Sequence, residues 1–153
     1  MKTIYLAGGC FWGTEHYISQ FEGVVETTVG YANGSVKDPA YEQVYTDQTG
    51  HVECVKVTFD EKVLPLKTLL KLFFISIDPL QKDGQANDIG TRYRTGIYYT
   101  STDDIATVSP LLYGSCYDFI LPRVVKQNKI IGKATYTNPQ ISIIFRCLLC
   151  VYQ

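Results

Sequence analysis

Residues 8 to 15 read Gly8-Gly9-Cys10-Phe11-Trp12-Gly13-Thr14-Glu15, and they mark the point where a short apolar segment gives way to a helix-like one. The two glycines let the backbone turn sharply and leave the cysteine sulfur uncovered. Cys10 then lies at the first turn of the predicted helix, where the positive end of the helix dipole favours the thiolate. Phe11 and Trp12 can wall a small apolar pocket beside it. The stretch predicts a nucleophilic cysteine, and the alternative is a buried thiol at a strand end, the commoner fate of a single cysteine.

Composition narrows the class of protein. The chain of 153 residues, 46% of them hydrophobic, is long enough for one domain with a substantial core, so residues 1–153 are predicted to form a single domain. A net charge of −1 provides no strong field to recruit nucleic acid or an anionic membrane. Residues 141–152 are too short an apolar tract to span a bilayer. The apolar run near the N-terminus is too short for a signal peptide, so a cytoplasmic location is expected.

The cysteine count is odd, which argues against a fully paired disulfide scaffold and favours a reducing compartment. Cys147 and Cys150 have the CxxC spacing of redox motifs, but their hydrophobic neighbours favour two buried thiols. A metal site made of His51, Glu53 and a cysteine lacks a recognised ligand spacing, so no metal is expected. The five cysteines are Cys10, Cys54, Cys116, Cys147 and Cys150.

Hydrophobic periodicity predicts strands separated by helices. Helices are predicted over residues 11–21, 64–77 and about 102–113, strands over residues 3–7, 24–31, 51–60 and 94–100, and a loop over residues 78–92, while residues 40–45 stay open between a short helix and a loop. In the strand over residues 51–60 the apolar pairs Val52/Cys54 and Val57/Phe59 differ in parity, which allows a bulge or two buried faces. The order of elements predicts an α/β two-layer domain with a mixed sheet and flanking helices.

Several polar residues have both a functional and a structural interpretation. Glu53 stands in an apolar strand, where burial would raise its pKa and make it a proton donor; the alternative is a solvent-facing position. His51 either belongs to the same site or satisfies a carbonyl at the strand end. Asp88 and Tyr93 either face a pocket or belong to a polar surface loop, and Tyr41 has the same ambiguity.

Together these motifs resemble the A-type peptide methionine sulfoxide reductases. They occur in the family's order and at its spacing over about residues 3–105, which the resemblance makes a family-like catalytic core with the family's α+β, two-layer, ferredoxin-like fold. The residues that carry the resemblance are Gly9-Cys10-Phe11-Trp12-Gly13 with Glu15, Gly30-Tyr31 with Gly34, Pro39-Ala40-Tyr41, Thr49-Gly50-His51-Val52-Glu53, Asp78-Pro79, and Asn87-Asp88-Ile89-Gly90-Thr91-Arg92-Tyr93-Arg94.

The resemblance implies a role for each matching position. Cys10 would be the nucleophile, and Glu53 would be the acid that protonates the sulfoxide oxygen. Tyr41 and Tyr93 would donate hydrogen bonds to that oxygen. The implied substrate-binding residues are Phe11 and Trp12 for the ε-methyl group, Asp88 for the substrate backbone, and His51.

The implied reaction is thiol-dependent reduction of methionine S-sulfoxide, free or in peptides and proteins, through a sulfenic acid on Cys10. A sulfoxide oxygen leaves only when it is protonated, so the site needs a thiolate on one side and a neutral carboxylic acid on the other. No cofactor is implied, because an external thiol, thioredoxin, would reduce the oxidised enzyme by disulfide exchange. The expected partners are oxidised-methionine proteins or peptides and thioredoxin, and a monomer is expected.

The family pattern ends after about Asp104, and residues 106–153 form a divergent C-terminal segment, which one interpretation attributes to an out-of-frame or aberrant terminus. The thiol that resolves the sulfenic acid therefore stays open among Cys116, Cys147, Cys150 and an external thiol. Two further functions are weighed. One is a non-catalytic family member that binds oxidised methionine, and the other is a disulfide oxidoreductase working through Cys147 and Cys150.

Overall fold

A mixed sheet with helices packed on one face is the frame of the computed structural model, which describes residues 1–99, 101–104 and 106–108 and the backbone of residues 123–126 and 130–133. Its elements are β1 (Lys2–Ala7), α1 (Phe11–Ile18), β2 (Val24–Ala32), α2 (Tyr41–Tyr45), β3 (Val52–Phe59), α3 (Leu66–Ile75), β4 (Gly84–Gln85), β5 (Asp88–Ile89), a 3-10 turn (Thr91–Tyr93), β6 (Gly96–Tyr99), a second 3-10 turn (Thr102–Asp104), β7 (Arg123–Lys126) and β8 (Ile130–Lys133). No helix among the described residues is long and apolar enough to cross a membrane.

The strand order of the main sheet is β7-β6-β1-β3-β2-β8. β6 pairs with β7 in parallel, and the other pairings in this sheet are antiparallel. Its four central strands follow the connection β1-α1-β2-β3-α3-β6, which is the ferredoxin-like arrangement. The predicted fold class, a two-layer α/β domain with a mixed sheet, is confirmed.

Strand β3 is buried on both faces, which explains the change of parity in its sequence. Val52 and Cys54 pack in a small cluster on one face, whereas Val55 and Val57 belong to the main core on the other. Because side chains alternate along a strand, Glu53 points to the face that carries the main core. The Glu53 side chain therefore lies on the sheet face that helix α1 covers.

Helix α3 buries the face that the sequence predicts, with Leu66, Leu69, Leu70 and Phe73 on the core side. It is shorter at both ends than residues 64–77, because Pro65 is its N-cap and Ser76 its C-cap. The open segment over residues 40–45 forms helix α2.

Helix α1 also ends earlier than predicted, at Ile18 rather than residue 21. The N–H of Phe21 bonds the Ile18 carbonyl at 3.2 Å, which tightens the last turn. Gly23 then takes a φ of +96°, so the chain leaves the helix direction before β2. The Phe21 ring still packs against Tyr17, with centroids 4.9 Å apart.

The predicted loop over residues 78–92 is more ordered than expected, since it contains the β4–β5 hairpin and a 3-10 turn. The strands are only two residues long and have no apolar alternation, so no period-2 signal could reveal them. The Gln85 side chain accepts a bond from the Asp78 N–H at 2.6 Å and donates to the Asp78 carbonyl at 3.0 Å. These bonds fasten the hairpin close to the end of α3.

Only the start of the helix predicted at about residues 102–113 can be compared with the structure. There the chain forms a 3-10 turn, and Ser101 caps it through its hydroxyl, which accepts the Asp103 N–H at 3.2 Å. Asp104 is buried and pairs with Lys2 at 2.7 Å, which joins this turn to β1. Residues 106–108 are helical as predicted, whereas the rest of that helix, like Cys116, Cys147 and Cys150, lies outside the described residues.

Candidate active site

The junction between β1 and α1 presents the Cys10 sulfur at the start of the helix. Gly9 has a φ of +87°, in the left-handed region that favours glycine, and Cys10 is the N-cap residue. The Thr14 N–H bonds the Cys10 carbonyl at 3.1 Å, and the Thr14 hydroxyl donates to the Gly8 carbonyl at 3.2 Å. Backbone N–H groups of the first helical turn point towards the sulfur.

Gly9, before Cys10, and Gly13, after it, should differ in how replacement by alanine affects the stability of the fold. A Cβ on Gly9 would lie 2.7 Å from Cβ of Gln85 and would require a left-handed φ, so Gly9→Ala is expected to destabilise the fold by roughly 2 kcal/mol. A Cβ on Gly13 meets nothing within 4 Å and lies on a helix, so Gly13→Ala should stabilise by up to about 1 kcal/mol. Urea unfolding of both variants measures the difference, and a loss of stability in Gly13→Ala would contradict this geometry.

The Glu53 carboxyl is buried next to Cys10. Its Oε2 accepts the Phe11 N–H at 2.9 Å, and the residue is 3% exposed. Burial raises the pKa of Glu53 to about 7, with the nearby Asp88 carboxyl acting in the same direction. The Phe11 N–H and the Arg92 cation act against this rise. The group is therefore a carboxylic acid that is partly protonated at neutral pH.

The surroundings of Cys10 favour the thiol, whereas the helix start alone would favour the thiolate. Burial and the adjacent Glu53 charge raise the pKa of Cys10 to about 11. The N–H groups of Trp12 and Gly13 favour the thiolate as expected, but they are outweighed. Burial and the Glu53 carboxyl on β3 both depend on the fold, so neighbours along the chain could not indicate the net direction of the shift.

Aromatic rings wall the site beside the sulfur. The rings of Phe11 and Trp12 meet edge to face with centroids 5.3 Å apart, and Phe11 also contacts Tyr31 at 5.7 Å. His51 packs behind Tyr31, 6.3 Å between centroids, and is only 2% exposed. Gly34 leaves the space that the imidazole occupies, and burial lowers the pKa of His51, which keeps the ring neutral. His51 thus supports the wall from behind and has almost no surface of its own for a substrate.

The other predicted polar residues fall into two groups. Tyr93 and Asp88 are electrostatically coupled to Glu53: burial and then the Glu53 charge raise the pKa of Tyr93 to about 12, and burial raises that of Asp88. Tyr41 is half-buried on α2, where it packs against the core and lies 5.8 Å from the Tyr45 ring. The structure thus joins Asp88 and Tyr93 to the pair, and it places Tyr41 on the core beside Tyr45.

Sequence reasoning missed Arg92 and Asp47. Arg92 ends the predicted loop over residues 78–92, where a charged side chain is usually exposed, but its side chain is 10% exposed and pairs with Asp47 at 2.8 Å. Only the position of Arg92 next to Tyr93 hinted at a role. Nothing in the local sequence singles out Asp47, because the two partners are 45 residues apart.

The cysteines that the structure describes, Cys10 and Cys54, are both free thiols. Cys54 is buried on the opposite sheet face from Glu53, and burial raises its pKa. It is therefore separated by the sheet from the Cys10 side. Within the described part of the chain, no group of three or more His, Cys, Asp or Glu side chains is placed to hold a metal ion.

A thiol and a buried carboxyl side by side on a ferredoxin-like frame fit the class of cysteine-dependent enzymes. The family model for peptide methionine sulfoxide reductase matches residues 2–113. The match therefore extends past residue 105, where the resemblance was expected to end. The chain belongs to the peptide methionine sulfoxide reductase family.

Individual relatives agree with this assignment. The chain is 53% identical over 108 residues to peptide methionine sulfoxide reductase MsrA of Alkaliphilus metalliredigens, covering 71% of this chain and 68% of that protein. Among solved structures, reduced Mxr1 from Saccharomyces cerevisiae superposes with a TM-score of 0.77 at 31% identity, covering 88% of this chain and 81% of that one. The same yeast protein in complex with Trx2 gives a TM-score of 0.57 at 25% identity, with 86% and 79% covered.

Proposed function

We propose that this chain reduces methionine S-sulfoxide, free or in peptides and proteins, to methionine, with Cys10 as the nucleophile and Glu53 as the acid. The observation that carries the proposal is the bond from the Phe11 N–H to Glu53, which holds a buried carboxyl of pKa about 7 beside the sulfur. Membership of the reductase family supports the reaction type.

In the proposed step the Cys10 thiolate attacks the sulfoxide sulfur while Glu53 gives its proton to the sulfoxide oxygen. The attack forms a bond between the Cys10 sulfur and the substrate sulfur. This bond and the sulfur–oxygen bond of the substrate then break, and the protonated oxygen is transferred to Cys10 as a sulfenic acid. The substrate sulfur is reduced by two electrons, and the cysteine sulfur is oxidised by two. Protonation is needed because an unprotonated sulfoxide oxygen is a poor leaving group.

In the reactive form, Cys10 and Glu53 together hold one proton: Glu53 is protonated and Cys10 is a thiolate. The form with a Cys10 thiol and a Glu53 carboxylate also holds one proton. The two forms therefore interconvert when that proton moves between Cys10 and Glu53. Starting from the doubly protonated state, the first proton leaves with a pKa of about 7 and the second with one of about 11. The pair therefore reaches its singly protonated state as the pH rises through about 7, and the competent form is the arrangement of that state with the proton on Glu53.

The surrounding groups are proposed to orient the substrate. The Tyr93 hydroxyl, kept neutral by its raised pKa, donates to the sulfoxide oxygen together with Tyr41. The rings of Phe11 and Trp12 hold the ε-methyl group. Two further residues complete the site: Asp88 positions the substrate backbone, and His51 acts indirectly by supporting Tyr31.

Turnover is completed when a second thiol attacks the sulfenic acid, releasing water and forming a disulfide that an external dithiol reduces. Thioredoxin is the proposed reductant, supported by the yeast Mxr1 structure in complex with Trx2. Cys54 is a poor resolving thiol because it lies on the other sheet face, which leaves an external thiol or one of Cys116, Cys147 and Cys150. We also propose a monomer without a cofactor in a reducing, cytoplasmic setting, in keeping with its free thiols.

The proposed function is tested with separate S and R epimers of a methionine sulfoxide peptide and dithiothreitol as reductant. The S epimer should be converted to methionine, and the R epimer at least about 100-fold more slowly, because an apolar slot fixes the methyl group and the oxygen on defined sides. Circular dichroism confirms that the protein is folded. A folded protein that converts neither epimer rejects the proposal, and equal rates reject the geometry of the slot.

A further inference from the structure

Arg92 is fixed by a single carboxylate at both its backbone and its side chain. Its Nη1 donates to Asp47 Oδ2 at 2.8 Å, and its backbone N–H donates to Asp47 Oδ1 at 3.0 Å. Nη1 also donates to the Tyr45 carbonyl at 3.2 Å. Because the Arg92 side chain is only 10% exposed, this ion pair is screened less by water than a surface pair.

The guanidinium lies over two aromatic rings. Its central carbon is 4.4 Å from the centre of the Tyr45 ring and 4.6 Å from that of Tyr93. A planar cation attracts the face of an aromatic ring, so each contact restrains the ring as well as the cation. The Tyr93 ring is thus held against a group that is itself anchored on Asp47.

Gly90 leaves the space in which this ion pair forms. A Cβ at this position would lie 2.8 Å from Arg92 Nη1 and 2.8 Å from Asp47 Oδ2, and the φ of Gly90 is +143°. The backbone can therefore pass directly beside the ion pair only because the residue has no side chain.

Arg92 also acts on the acid of the site. The groups whose charges bear on the Glu53 carboxyl are Cys10 at the start of α1, Asp88 on β5, and Arg92 and Tyr93 on the 3-10 turn. Arg92 is the cation of this set, and it opposes the rise in the pKa of Glu53 that burial causes.

We propose that Arg92, anchored by Asp47, is a positioning residue for the reaction: it fixes the Tyr93 phenol, and its positive charge acts on Glu53. The inference rests on the proposed function, since Tyr93 and Glu53 are the groups expected to act on the sulfoxide oxygen. Arg92 acts on the reaction through these two side chains.

The test compares Arg92→Gln, Arg92→Lys and Asp47→Asn with the unmodified protein, each checked for a cooperative thermal melt. Two quantities are followed against pH: kcat and KM for an S-sulfoxide peptide, and the 13C chemical shift of the Glu53 carboxyl, identified by its absence in Glu53→Gln. The matched control is Arg94→Gln, a neighbouring cation that donates to the Gly50 carbonyl at 3.2 Å.

The variants should differ in the sign of their effects. Arg92→Gln removes the cation, so the Glu53 midpoint should move to higher pH, and kcat should fall roughly 10-fold with a smaller change in KM. Asp47→Asn leaves the cation uncompensated, so the midpoint should move to lower pH. Arg92→Lys keeps the charge but not the planar stacking, so kcat should fall with little change of midpoint. Arg94→Gln should leave the midpoint in place.

Other outcomes overturn the proposal. Equal losses of kcat in the three variants without opposite shifts would mean that the ion pair only stabilises the fold. An unchanged kcat in Arg92→Gln would show that Tyr93 does not depend on it. If the unmodified protein fails to turn over sulfoxide, the proposed function falls, while the carboxyl titration still reports whether Arg92 acts on Glu53.

Discussion

Cys10→Ser is expected to abolish the reduction of methionine sulfoxide, with a fall in rate on the order of 10⁴-fold or more. A serine hydroxyl ionises far above the thiol and cannot accept the sulfoxide oxygen as a stable oxidised form. Because serine is close to cysteine in size and Cys10 is only partly buried, the fold should survive the change. The measurement is the steady-state rate with dithiothreitol, supported by a thermal melt.

A second cysteine provides the control. Cys54 is 3% exposed among Ala7, Ala32 and Val52, on the sheet face away from Glu53, so Cys54→Ala should keep its activity and lose about 1 kcal/mol of stability. Without reductant, the unmodified protein and Cys54→Ala should each release about one methionine per chain, and Cys10 should carry a dimedone-reactive sulfenic acid or the disulfide formed from it. Residual turnover above a few per cent in folded Cys10→Ser, or a sulfenic acid mapped to another cysteine, would contradict the assignment of the nucleophile.

Local sequence was sufficient to predict the frame of the site. The glycine-rich junction before Cys10 and the apolar face of α3 follow from backbone freedom and helical periodicity, which act over a few residues. The parity change in β3 predicted two buried faces as one option, and that option is what places Glu53 beneath α1. The ends of elements were less predictable, because capping by Pro65 and Ser76 shortens α3 without altering its apolar pattern.

Long-range electrostatics could not be predicted in the same way. The direction of the shift in the Cys10 pKa depends on burial and on Glu53, which lies 43 positions along the chain, so the helix start alone does not determine it. Arg92 looks like a surface cation in a polar loop, yet Asp47 and two rings enclose it. In both cases the deciding partner comes from a different element, and only the fold brings it close.

Glu53→Gln is expected to slow turnover by roughly 10²–10³-fold, since it removes the proton donor but keeps an acceptor for the Phe11 N–H. The same change should make the protein more stable at alkaline pH. Burial raises the pKa of Glu53 from 4.5 to about 7 in the folded chain. The folded state therefore binds the proton more tightly than the unfolded state, and the unmodified protein loses stability as the pH rises from about 4.5 to about 7.

Glutamine does not titrate, so the Glu53→Gln variant should not show this loss of stability as the pH rises. Its free energy of unfolding, relative to the unmodified protein, should increase by up to about 3 kcal/mol between pH 5 and pH 8, with most of the change below pH 7. Urea unfolding at both pH values measures it, and the exposed Glu22→Gln is the control whose difference should stay flat. A constant difference for Glu53→Gln as well would mean that the carboxylate is solvated in the folded protein, and that another group delivers the proton to the sulfoxide oxygen.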